Sequence, residues 1–162
     1  MKQKNEKIDV AESEARETIE WIGERGGLPK MFDELFEQNF GFRLKEDSII
    51  SICALLTSRS LFSAIYSDDS AKLKKIADFL YDFAPNATML ASREFDNSML
   101  IDDNRLVIIE DSQDLSEEAI EIIAQNIIDR PREEVKLSVV MMIKTDKFDK
   151  RLLSKGVFPI RV

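Results

Sequence analysis

Two adjacent carboxylates stand where a buried strand of this sequence ends. Glu110 and Asp111 directly follow Leu106–Ile109, a short and largely β-branched apolar run. Continuous apolar runs of this kind are typical of strands that are covered on both faces, as in parallel sheets. Open α/β sheets bind ligands at the carboxyl ends of their strands, where carboxylates can hold a divalent cation. Glu110 and Asp111 are therefore candidate metal ligands, and the alternative is a polar strand end or a helix-capping carboxylate.

The composition restricts other catalytic chemistry. The chain has no histidine, which excludes histidine-based triads, and its one cysteine, Cys53, lies in an apolar helical run. A metal-dependent nuclease stays as an alternative, because such enzymes combine strand carboxylates with a Glu-x-Lys pair. The sequence offers Asp102, Asp103, Glu110, Asp111 and the pair Glu134-Val135-Lys136. The pair stands at the start of its strand, and Glu-x-Lys arises by chance in a chain that is 33% charged. We therefore expect a non-catalytic protein.

Charge is distributed unevenly along the chain. The net charge is −8, yet residues 143–162 hold six basic and two acidic residues, a local +4 that leaves −12 elsewhere. Five of the basic residues form the predicted partner-binding set: Lys144, Lys147, Lys150, Arg151 and Lys155. A short helix over 147–153 would place most of them near one face. We expect this segment to contact a partner protein, with the phosphate backbone of a nucleic acid as the alternative.

The elements that position these residues alternate between strands and helices. Five strands are predicted at Leu61–Tyr66, Ala87–Ala91, Leu106–Ile109, Lys136–Ile143 and Val157–Arg161, with helices between them. This alternation predicts an α/β fold with a small, mostly parallel five-stranded sheet. The connection between the second and third strands allows a mixed sheet instead, because 98–108 also has the pattern of an antiparallel hairpin with its turn at 102–104.

The first sixty residues have a different pattern. Apolar side chains recur at helical spacing over 11–22, 28–40 and 49–56, and glycines at 23, 26 and 27 separate the first two stretches. The sequence therefore predicts a helical N-terminal region, residues 1–60, packed on an α/β core, residues 61–162.

The order of elements in the last hundred residues resembles a P-loop NTPase core of the AAA+ kind, above all the first domain of the clamp-loader delta-type subunits. The likeness rests on 105–119, an apolar strand with an acidic end that leads into a helix. It continues through Arg130-Pro131-Arg132, the strand Leu137–Ile143 and the segment Asp146–Leu153. The resemblance implies a subunit that works by protein contacts within a DNA replication, repair or mobile-element complex.

The phosphate-binding loop of that family is missing. A loop that cradles phosphates needs glycines before a Lys and a Ser/Thr, whereas 66–72 contains no glycine and includes Asp68 and Asp69. Those carboxylates would repel a triphosphate, and Lys72 is the one remnant of the motif. We expect no cofactor, a degenerate NTPase-like core and a role in assembly. The remaining alternatives are a small subunit of a nucleic-acid effector complex and the metal-dependent nuclease.

The cellular location is predicted from what the sequence lacks. No apolar run approaches the roughly 20 residues of a membrane-spanning helix, and the polar start does not resemble a signal peptide. We expect a cytoplasmic protein without membrane contact, and the sequence does not indicate its oligomeric state.

Overall fold

The structure is a computed structural model that describes residues 34, 37, 38, 41–57, 61–84, 87–100, 106–129 and 137–162. The helices in these ranges are α1 (Glu46–Thr57), α2 (Ser70–Phe83) and α3 (Glu117–Asp129). The strands are β1 (Phe62–Ser67), β2 (Ala87–Ala91), β3 (Leu106–Glu110), β4 (Ser138–Lys144) and β5 (Phe158–Arg161). Short 3₁₀ helices cover Ser92–Glu94, Asn97–Leu100, Ser112–Asp114 and Lys150–Lys155.

The five strands form one sheet in the order β2-β3-β4-β1-β5, and every pair is parallel. The predicted α/β class and the five-stranded, mostly parallel sheet are confirmed. The mixed-sheet alternative is wrong, because β3 has parallel neighbours on both sides and 97–100 is a 3₁₀ helix. A parallel connection must cross a face of the sheet, and the described part of the segment between β2 and β3 contains two short 3₁₀ helices.

Helices cover both faces of the sheet, which explains why its strands are continuously apolar. One face packs against α1 and α2, with Ile65, Ile108 and Val140 in the centre of the cluster. The other face packs against α3 and includes Ala64 and Val107. In β4, six consecutive residues are buried and the strand ends at the exposed Lys144. Burial on both sides removes the polar alternation that a one-sided sheet would show.

Local signals fix the start and end of α2. Asp69 is the N-cap, and its carboxylate accepts hydrogen bonds from the N–H groups of Ala71 (2.9 Å) and Lys72 (3.3 Å). The helix ends at Phe83, and Ala84 is already extended because the residue before Pro85 disfavours the helical conformation. These features hold α2 with its N-terminus at the carboxyl end of β1.

The predicted helix over 147–153 differs in position and type. The structure has a 3₁₀ helix over Lys150–Lys155, which begins at the N-cap Asp149 and ends at Gly156 with φ +81°. Gly156 adopts the left-handed conformation that glycine tolerates best. Lys147 therefore lies before the helix, in the loop after β4.

The N-terminal region is described only in part. The predicted helices over 11–22 and 28–40 lie outside the described residues, apart from residues 34, 37 and 38, and so does the boundary at 60/61. The third predicted helix corresponds to α1, whose Ile49 and Ile52 join the same core cluster as Ile65. The Ser48 hydroxyl donates a hydrogen bond to the backbone carbonyl of Arg161, which ties α1 to the last strand.

Candidate functional site

The candidate site is a cleft at the carboxyl edge of the sheet. Because all strands are parallel, the residues that follow β1, β3 and β4 meet at this edge, and Ser67 lies directly opposite Lys144. Here the connections leave in opposite directions, from β1 toward β2 and from β4 toward β5, so the cleft lies at a topological switch point. Its volume is about 220 Å³. It is lined by Ser70, Leu73, Lys74, Ala77, Glu110, Asp111, Gln113, Met142 and Lys144.

A lysine engages the first of the two predicted metal ligands. The Lys74 ammonium lies 2.9 Å from a carboxylate oxygen of Glu110 and 3.2 Å from one of Asp78. The hydrogen bond with Glu110, and then the one with Asp78, raises the pKa of Lys74 above its ordinary value. A cation therefore already balances the Glu110 carboxylate across the cleft. Sequence reasoning missed Lys74, because 36 residues separate it from Glu110.

Asp111, the second predicted ligand, has an unusual backbone conformation. Its φ and ψ are 53° and 42°, and it is the one non-glycine residue in the described ranges with a positive φ. The loop around it is fixed by two hydrogen bonds. The buried Ser112 hydroxyl donates to the carbonyl of Ile109 (2.7 Å), and the Gln113 side chain accepts from the N–H of Lys144 (3.1 Å). The second bond joins the loop after β3 to the end of β4.

The described residues do not assemble a metal cage around these carboxylates. Across the described ranges, no group of three Asp, Glu, Cys or His side chains could hold a metal ion. The remaining residues of the nuclease hypothesis, Asp102, Asp103 and the segment 134–136, lie outside the described ranges. Glu110 and Asp111 stay candidate ligands from the sequence, and their described surroundings add a lysine instead of further carboxylates.

The loop after β1 leads directly into the first turn of α2. The Ser67 hydroxyl accepts a hydrogen bond from the N–H of Asp69 (3.0 Å), and Asp69 in turn caps the first turn of α2. The N–H groups that could bind an anion at this helix start therefore bond to the chain's own carboxylate. Lys72 does not line the cleft, and its ammonium lies 5.2 Å from the centre of the Phe42 ring.

The five predicted partner-binding residues fall into two groups. Arg151 pairs with Asp149 (2.9 Å) and with Glu117 of α3 (3.4 Å), and Lys155 pairs with Glu121 of α3. The hydrogen bonds from Arg151 lower the pKa of the Asp149 carboxyl below its ordinary value. These two cations therefore hold the 3₁₀ helix against α3.

The other group consists of Lys144, Lys147 and Lys150, which we call the lysine loop. All three are exposed, and none forms an ion pair with another residue in the part of the chain that the structure describes. Sequence reasoning placed all five cations in one patch, because Glu117 and Glu121, which pair with Arg151 and Lys155, lie 34 residues earlier. The cationic surface is therefore smaller than the local +4 suggests.

A second cleft lies at the carboxyl end of β2 and has a volume of about 390 Å³. It is lined by Ala91, Ser92, Arg93, Phe95, Asp111, Asp114, Leu115, Ser116 and Ala119. Asp111 lines both clefts. Sequence reasoning missed this cleft, because its walls come from β2 and the residues after it, the loop after β3 and the start of α3.

Comparisons with known proteins do not add a family. No protein-family model matches the chain, and no curated protein matches its sequence significantly. Within the described ranges, none of the helices is both long enough and apolar enough to cross a membrane. The geometry of the site therefore carries the functional argument.

Proposed function

We propose that this protein is a non-catalytic assembly subunit whose α/β core resembles a P-loop NTPase that has lost nucleotide binding. The observation that carries the proposal is the arrangement of charged side chains in the cleft at the topological switch point. The Lys74–Glu110 pair crosses it, and the Asp69 carboxylate caps the helix start at its rim. The chain's own charges therefore fill the place where such a core would bind an anion or a metal.

The strand order brings the acidic end of β3 close to the loop after β1. Counted from the other edge, the sheet reads β5-β1-β4-β3-β2, so the first strand lies between the fourth and the fifth. In such a sheet the carboxylates after β3 lie beside the loop after β1, which is the position of Glu110 here. The clamp-loader delta-type subunits that the sequence resembles often lack nucleotide chemistry and act through protein contacts.

The proposed contact surface is the lysine loop together with the adjoining carboxyl edge of the sheet. Three exposed lysines without internal ion pairs in the described ranges can meet acidic groups at little desolvation cost. Such charges steer a partner mainly by raising the association rate. We propose an acidic surface of a partner protein as the target, within a complex that handles DNA in replication, repair or a mobile element.

A first experiment tests the loss of nucleotide binding. Calorimetry with ATP and Mg²⁺ should show no saturable binding, because Asp68 and Asp69 stand where glycines and a backbone cradle are needed. Saturable binding that is abolished by Lys72→Ala would contradict the proposal.

A second experiment tests the contact surface. After a pull-down from the native cell has identified the partner, association is measured with the variant Lys144→Glu/Lys147→Glu/Lys150→Glu. Association should be slower at low salt, with unfolding unchanged, because exposed charges contribute little to stability. The control is Arg151→Gln/Lys155→Gln, which removes cations already paired within the chain and should leave association nearly unchanged. Equal association for the folded triple variant and the wild type would contradict the proposal.

A nucleic-acid partner is the second candidate, and the lysine loop is the observation that favours it. Three lysines on phosphates predict a salt dependence of log K with a slope of about −2 to −3 on a duplex. Fluorescence anisotropy with a DNA duplex would show that slope, and the triple variant would abolish it. Mg²⁺-dependent cleavage of the same duplex would instead favour the nuclease.

A further inference from the structure

The two edges of the sheet are protected very differently. At β5, Pro159 has no N–H group to offer a further strand, and the carbonyl of Arg161 accepts a hydrogen bond from the hydroxyl of Ser48. The strand is only four residues long and contains one charged side chain. Proline, charge, short length and a covering helix are the usual devices that prevent an edge strand from pairing with another chain.

The other edge, β2, lacks most of these devices in the part of the chain that the structure describes. Its five residues, Ala87–Ala91, include neither a charge nor a proline. The strand pairs with β3 on one side, and no other described residue hydrogen-bonds to its backbone. Alternate backbone N–H and C=O groups of β2 therefore point outward without a partner in the described part of the chain. An uncharged edge of this kind is a template for strand addition.

The surfaces beside β2 on both faces are apolar. On one face, Phe83 is 41% exposed and stacks on Phe79 with 5.6 Å between ring centres, and Met89 packs against the same cluster. On the other face, the second cleft offers Phe95 next to Ala91. A strand added to β2 would bury apolar side chains against both layers, beyond its backbone hydrogen bonds.

We infer that the strand added to β2 is β2 of a second copy of this chain, antiparallel across a two-fold axis, so that two sheets form one sheet of ten strands. In a dimer with two-fold symmetry, the same edge strand of each copy faces its equivalent in the other copy. Two identical uncharged strands can pair in this way without like-charge repulsion. Charge complementarity also favours a second copy of this chain. Antiparallel pairing places the C-terminal end of one β2 beside the N-terminal end of the other, and therefore beside the last turn of α2.

The two ends carry complementary charges. Arg93, two residues after β2, is exposed and forms no ion pair with any residue in the described ranges. The last turn of α2 contains the exposed Asp82 and no basic residue, so the negative end of the helix dipole is not compensated. In the dimer, Arg93 of each copy approaches this acidic turn of the other copy, and the contact occurs twice. This surface is separate from the lysine loop, so the dimer does not depend on the proposed function.

Sedimentation velocity of the full chain over a wide concentration range tests the dimer. The wild type should show a monomer–dimer equilibrium. Arg93→Glu and Asp82→Arg should each weaken the dimer about tenfold, because each change acts at two symmetric contacts. The combined variant should regain most of the affinity, because the charges are exchanged. Arg161→Glu at the protected edge is the matched control and should leave the dimer unchanged.

Cysteine cross-linking tests the strand pairing directly. In a Cys53→Ser background, Thr88→Cys, Met89→Cys and Leu90→Cys are oxidised one at a time. The residue on the two-fold axis faces its own copy and should form a disulfide-linked dimer, whereas Phe158→Cys at the other edge should not. A monomer at every concentration would overturn the inference. So would a dimer that withstands both charge reversals without cross-linking at β2, or a different protein bound at this edge of a monomeric chain.

Discussion

Alanine usually replaces a residue with less loss of stability than glycine does, and the conformation of Asp111 should invert that order. We expect Asp111→Gly to be more stable than Asp111→Ala. Both variants lack the aspartate side chain, so the loss of its interactions is the same in both and cancels when their stabilities are compared. What remains is the cost of placing a Cβ atom on a residue with φ 53° and ψ 42°.

The magnitude follows from two opposing terms. An alanine in the left-handed region is less favourable than in the right-handed region by about 1–2 kcal/mol. Glycine escapes that strain, but it gives the unfolded chain more freedom and so loses about 0.4–1 kcal/mol relative to alanine. Asp111→Gly should therefore be more stable than Asp111→Ala by about 1 kcal/mol. For a chain of 162 residues, that corresponds to a difference in melting temperature of about 2–4 °C.

Asp146 supplies the matched control. It is an exposed aspartate just after the end of the neighbouring strand β4, and its φ is not positive. There the ordinary order should hold, with Asp146→Ala more stable than Asp146→Gly by about 0.4–1 kcal/mol. Urea unfolding followed by circular dichroism, with the slope compared between variants, measures all four free energies. If Asp111→Ala is as stable as Asp111→Gly, or more stable, the left-handed conformation and the reasoning built on it are refuted.

Three further predictions concern the core and the segment after β4. Ile108→Ala should lower the free energy of unfolding by about 3–4 kcal/mol in urea unfolding, because Ile108 is fully buried between two helical layers and loses three carbon atoms. Gly156→Ala should lower it by about 1 kcal/mol, since φ is +81°, although no atom lies near the added Cβ. Arg151→Gln should raise the Asp149 pKa toward its ordinary value in an NMR titration. Because the pair with Arg151 lowers the Asp149 pKa, the pair stabilises the folded state at pH values above the unfolded-state pKa. This stabilisation is lost as the pH falls through the folded-state pKa. An unchanged Asp149 pKa in the variant would contradict the ion pair.

The sequence by itself determined most of the elements of the core. Strands predicted at Ala87–Ala91 and Val157–Arg161 match β2 and β5 to within a residue, and the run before Glu110 is β3. These predictions succeeded because strands buried on both faces are short, continuous and apolar, and because capping residues such as Asp69 mark helix starts locally. The parallel arrangement followed from the same alternation of strands and helices.

Tertiary structure alone decided which strands are neighbours. Nothing in β1 indicates that it lies between β4 and β5, because a strand that is apolar on both faces packs equally well beside any similar strand. The hairpin pattern over 98–108 was locally plausible and failed for this reason. Pairing of β3 with β2 and β4 satisfies its backbone on both sides and leaves no edge for an antiparallel partner.

The candidate site depended on the fold for its electrostatics. From the sequence, Glu110 and Asp111 could be placed at a strand end, and five cations could be placed in one segment. Only the folded chain brings Lys74 to Glu110 and the acids of α3 to Arg151 and Lys155, across 34 to 36 residues of sequence. Charges interact through space over a few ångströms, and counting them along the chain does not measure those distances.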